Sequence, residues 1–151
     1  PPLPFPKRRK VISSLQMEKR SERITPLILI VAYYTFTYFL FRYKHIPVSP
    51  EFYSMILGLL MSMFIALIIT LKWKISIHML AQGGMIGVIV ALNQEHYLKN
   101  IVFLIVSAIV IAGVVGSARA RLKAHSLSQI YSGFLLGFIV CFICIYTGIV
   151  L

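Results

Sequence analysis

Residues 101–116 read IVFLIVSAIVIAGVVG, and residues 117–126 continue without a break as SARARLKAHS. The first stretch carries no charge and approaches the roughly 20 apolar residues that cross a bilayer as a helix. The second carries Arg119, Arg121, Lys123 and His125 and no acid. A helix that ends at a basic membrane surface accounts for both, and it sets the class of the whole chain: an all-α integral membrane helix bundle.

Four further stretches have similar length and hydropathy. The five predicted transmembrane helices run from about Pro26 to Phe41, Phe52 to Leu71, Ile75 to Leu92, Ile101 to Gly116 and Leu127 to Leu151. The connectors RYKHIPVSPE, KWK, NQEHYLKN and SARARLKAHS read as surface turns or loops. Composition agrees, since 59% of the residues are hydrophobic against about 45–50% in soluble domains, and mean hydropathy is +0.88. Residues 1–25 form a basic amino-terminal segment. Within it PPLPFPKRRK is too Pro-rich to start a helix and lacks the apolar core of a secretory signal, while Ser14 to Arg23 fits a basic helix lying on the membrane. The chain starts at Pro, which leaves room for residues upstream.

An odd number of spans places the amino-terminal segment, the KWK turn and the SARARLKAHS connector on one face. That face collects Lys7, Arg8, Arg9, Lys10, Lys19, Arg20, Arg23, Lys72, Lys74, Arg119, Arg121 and Lys123, leaving Arg42, Lys44 and Lys99 on the other. The positive-inside rule makes the basic face cytoplasmic, and a bacterial cytoplasmic membrane is the expected setting. Tyr33, Tyr34, Tyr38, Tyr43 and Trp73 are expected to be interfacial anchors. Gly83, Gly84 and Gly87, with Gly133 and Gly137, have the small-residue spacing that lets spans three and five approach closely. Cys141 and Cys144 lie in an apolar run and read as packing residues.

The net charge of +11, from fifteen Lys and Arg against four Glu, favours an anionic partner. A phosphorylated membrane lipid in its bilayer fits better than nucleic acid, because most of the charge sits beside the spans. The chain has no Asp, which excludes aspartyl-phosphate chemistry and Asp-held metal clamps. At the basic face His78 opens span three and His125 opens span five. Arg119, Arg121, Lys123, Lys72 and Lys74 can clamp a phosphate, with hydroxyls from Ser76 and Ser117. Two histidines can divide nucleophilic attack from leaving-group protonation. Gln129, four residues after His125, falls on the same helical face and can hold the imidazole through its amide oxygen. The alternative is that these side chains only snorkel to anionic headgroups.

The stretch Ser117 to Gly133 resembles the third signature of the type 2 phosphatidic acid phosphatase (PAP2) superfamily, which is Arg, five residues, His, three residues, Asp, often with Gly four positions on. Arg119, His125 and Gly133 match in register, and Gln129 stands where the family has Asp. Ile75-Ser76-Ile77-His78 resembles the second signature, Pro-Ser-Gly-His. Lys19, Arg23 and Pro26 offer the residue types of the first at other intervals. The resemblance implies a PAP2-like bundle with five helices where the family commonly has six, a compact variant or one lacking a leading helix. It further implies a lipid phosphate phosphatase that needs no metal or cofactor. His125 would be the nucleophile and His78 the general acid, with Arg119 and Ser76 on phosphate oxygens and Lys19 and Arg23 beside them. Because a neutral amide orients His125 but stabilises an imidazolium less than a carboxylate does, binding of a lipid phosphate with little or no turnover is the alternative function. A transporter or assembly subunit is the third reading, for which a polar path through the bundle is expected.

Overall fold

The structure, a computed structural model, describes residues 21–93 and 100–149, and the side chains from residue 24 onward within them. Lys19 and most of the expected surface helix lie outside the described residues, as does Lys99. Five helices follow in order: α1 (Ser21–Tyr43), α2 (Pro50–Thr70), α3 (Ile77–Leu92), α4 (Ile101–Arg121) and α5 (Leu127–Tyr146). The described residues are all-helical apart from turns, as the hydropathy pattern requires.

Among the described residues four segments are long and apolar enough to cross a membrane: Ile24–Tyr43, Pro50–Thr70, Ile101–Arg121 and Leu127–Tyr146. The remaining helix, α3, has 16 residues. At 1.5 Å per residue it is about 24 Å long, short of the roughly 30 Å hydrocarbon core.

Several boundaries differ from expectation. The SARARLKAHS connector is not all loop, because Ser117 to Arg121 continue α4. Ala and Arg are good helix formers, and cations in a last turn are favoured by the helix dipole. The fifth span stops at Tyr146 rather than Leu151, where Gly148 takes a left-handed φ of 62° and turns the chain.

The tightest pairing is α3 on α5, as the glycine spacing predicts. A methyl group added to Gly83 would collide with the Phe134 carbonyl oxygen, and one on Gly137 with that of Leu80. At Gly87 and Gly133 the same addition would stand 2.5 Å from the Phe138 and Ser76 oxygens. Any side chain at these positions forces the two backbones apart. Helix α2 closes on α5 where Gly58 meets Cys141 and Cys144, both buried packing residues.

Helix α1 leans on α2 through Tyr38, Tyr53, Ile56 and Leu57. Tyr38 is therefore not an anchor facing outward: it is 2% exposed, with its ring 6.1 Å from that of Tyr53. Its position one turn inside the α1–α2 hairpin turns it toward the neighbour, whereas Tyr33 and Tyr43 do face outward. Helix α4 packs on α3 through Ala108 and Ala112 against Met79 and Ile86 and touches α5 little.

Candidate functional site

The end of the bundle where α4 finishes and α3 and α5 begin holds most of the predicted residues. The chain turns there through a defined corner. Leu122 caps α4, Lys123 N–H donates to the Ala120 oxygen at 2.9 Å, and Ala124 N–H donates to the Arg119 oxygen at 3.1 Å. Those paired bonds are the Schellman arrangement, which needs a left-handed residue at its turn. Lys123 supplies it, with φ 50°. The corner delivers His125 beside the last turn of α4, and the interval from Arg119 to His125 is the length of this turn.

Helix α5 starts with a capping box. Ser126 Oγ accepts from Gln129 N–H at 3.4 Å, and Gln129 Oε1 accepts from Ser126 N–H at 3.3 Å. The same Oε1 stands 3.0 Å from His125 Nδ1. A backbone N–H can only face the oxygen of the amide, so the cap fixes which way Gln129 points. Its oxygen can only accept, which puts the hydrogen on Nδ1 and leaves the lone pair of a neutral imidazole on Nε2. His125 itself is 6% exposed. The orienting contact expected between Gln129 and His125 is present, and the cap sets the direction of the amide that makes it.

Ser76 joins the second segment to the third. Its N–H donates to the Gln129 carbonyl at 3.2 Å, and its own carbonyl rests on Gly133. Ser76 is fully buried and makes no side-chain cap bond for α3, and its Oγ has no hydrogen-bond partner among the described residues. Arg119 lies half-buried in the last turn of α4, and its Nε also lacks a partner among the described residues. Buried donors of this kind cost about 1–3 kcal/mol each while unsatisfied.

The other predicted residues are placed differently. Arg121 and Lys123 are exposed beside the corner, and Ser117 is exposed on α4. Arg23 belongs to the first turn of α1, with no described side chain. His78 is exposed on a stripe with Ala81 and Met85. It precedes Leu80, whose backbone meets Gly137 of α5, by two residues, about 200° around the helix. The structure thus brings Ser76, His125 and Gln129 together and leaves His78 on the outer side of α3. Among the described residues no three His, Cys, Asp or Glu side chains converge as metal ligands would.

Two features went unread in the sequence. The Ser-x-x-Gln capping box at 126–129 was legible from its spacing. The left-handed Lys123 was not, because no glycine marks it.

No protein-family model matches the chain, and neither does any curated protein or solved structure.

Proposed function

We propose that the chain is a membrane phosphatase acting on a phosphorylated lipid, as a divergent member of the PAP2 superfamily. The observation that carries this reading is the bond from His125 Nδ1 to Gln129 Oε1, which leaves Nε2 as the nucleophilic nitrogen. The register of Arg119, His125 and Gly133 supports it, as do the donors of Arg119 and Ser76 that lack a partner among the described residues.

In this mechanism Nε2 attacks phosphorus and the bond from phosphorus to the lipid oxygen breaks. The lipid alcohol leaves with a proton from a donor at the membrane surface, a role the resemblance gives to His78. Water then cleaves the phosphohistidine, releasing inorganic phosphate and restoring His125. Arg119 and Ser76 hold the phosphate oxygens, with Arg121 and Lys123 drawing the headgroup in and Lys19, Arg23 and Ser117 as further candidate contacts. A bacterial cytoplasmic membrane is the setting we assign.

Phosphate release from phosphatidic acid, measured with the purified chain in lipid nanodiscs, tests the reading. Activity in the wild type that disappears in His125→Asn supports it. Activity unchanged by that substitution overturns it.

The outward place of His78 favours a second reading, in which the site binds a lipid phosphate and turns it over slowly or not at all. Phosphatidic acid that binds without phosphate release would select that reading.

A further inference from the structure

Helices α4 and α5 barely touch, and the space between them is a groove of about 640 Å³. Its size falls within the ~300–1,000 Å³ typical of ligand sites. Met79, Ala112, Gly113, Gly116, Ile130 and Phe134 form much of its wall. Gly113 has open space where a side chain would stand. The groove runs along α4 from Ala120 to Ile109, about 16 Å at 1.5 Å per residue, which is one leaflet of a bilayer core about 30 Å thick. At its upper end the lining residues Ala120 and Leu127 flank the corner that carries Arg121, Lys123 and His125. That mouth is cationic with no acid between residues 100 and 149, while the wall below it is almost wholly apolar.

The geometry points to a bound lipid, with one acyl chain in the α4–α5 groove and its anionic phosphate headgroup on the basic corner. An apolar trough one leaflet deep matches an acyl chain in length and chemistry. The cations at its mouth select an anionic headgroup over a zwitterionic one. The inference rests on the proposed engagement of a lipid phosphate, and it specifies how the rest of that lipid is held.

Tryptophan quenching by bromine-labelled lipid tests it in vesicles of phosphatidylcholine. Trp73, the sole tryptophan, is replaced by Phe, and a reporter is placed at Leu135, in the groove, or at Val114, exposed on α4 at similar depth and outside the groove lining. A small fraction of brominated phosphatidic acid should quench Leu135→Trp several-fold more than Val114→Trp, whereas brominated phosphatidylcholine should quench the two alike. Joint Arg121→Gln and Lys123→Gln changes should weaken the affinity for phosphatidic acid about thirty-fold, each cation near a membrane surface being worth about five-fold, and so remove the quenching preference. Gly113→Phe, which fills open space, should remove the excess without unfolding the bundle.

Equal quenching of both reporters by phosphatidic acid overturns the inference. So does a Leu135→Trp that neither lipid reaches, the result expected if a helix of another chain fills the groove. Pairing the quenching measurement in His125→Asn, which would not consume the lipid, with phosphate release by the wild type separates the two proposals. Preferential quenching without phosphate release retains the lipid groove and discards the phosphatase, and phosphate release without preferential quenching does the reverse.

Discussion

His125 and Gln129 are locked to each other at 3.0 Å by an amide that is also half of a helix cap. One side chain therefore serves the start of α5 and the protonation pattern of the imidazole together. Its functions separate on substitution. Gln129→Glu keeps the reach and the cap but adds a negative charge, which favours the protonated ring and raises the His125 pKa. A histidine NMR titration should show that rise relative to wild type. Phosphate release should increase as well, because a carboxylate stabilises the imidazolium of a phosphohistidine where an amide does not. Gln129→Ala should instead destabilise the chain by about 0.5–1.5 kcal/mol through the lost bond from Ser126 N–H, while the Ser126 hydroxyl still caps the residue 129 N–H.

Lys123 holds a left-handed backbone that glycine would adopt with less strain. Lys123→Gly should be more stable than Lys123→Ala, the comparison that removes the effect of charge, by about 1 kcal/mol. Thermal unfolding in a mild detergent reads the difference. A β-branched residue such as Val should be the least stable of the series.

The glycines divide sharply by what surrounds them. Gly137→Ala sets a methyl group against the backbone of α3 and should cost about 1–3 kcal/mol or more, since backbone cannot yield as a side chain does. Gly113→Ala faces open space and should be neutral or stabilise α4 by up to about 1 kcal/mol through helix propensity. Denaturation of both variants in the same detergent checks the contrast.

His78 offers a direct test of the role the resemblance assigns it. A general acid that acts on the leaving group contributes about 10²–10⁴-fold, so its removal should be costly. From its exposed place on α3 we expect His78→Ala to reduce kcat by less than about ten-fold, beside complete loss in His125→Ala. A large loss specific to His78→Ala would show that the side chain reaches the phosphate when lipid is bound.

The membrane architecture was legible because it depends on long runs of apolar residues, which no short-range detail can hide. The pairing of α3 with α5 was legible for a similar reason, since glycines at helical spacing leave few other uses. The contact of His125 with Gln129 followed from a four-residue interval. Other features depend on helix phase and on cooperative turns. The outward direction of His78 is set by where α3 begins, and its carrying Ser and His at the family's spacing says nothing about that. The burial of Tyr38 requires knowing which side of α1 meets α2. The continuation of α4 to Arg121 was masked by treating charge as the end of a helix, although the cations there suit its final turn.

Helix α3 is about one turn shorter than the 21, 21 and 20 residues of α2, α4 and α5 that surround it. Its ends cannot both reach the headgroup level of an ordinary bilayer, and hydrophobic mismatch of this kind is relieved by local thinning or by flanking residues that stretch to the surface. Lys72, Trp73 and Lys74 lie before it, separated from its first residue by Ile75 and Ser76, and are suited to that second role. Lipid tail length thus becomes a variable for this protein: thinner bilayers relieve the mismatch, and thicker ones draw Ser76 below the polar surface at the end where His125 and Gln129 meet it.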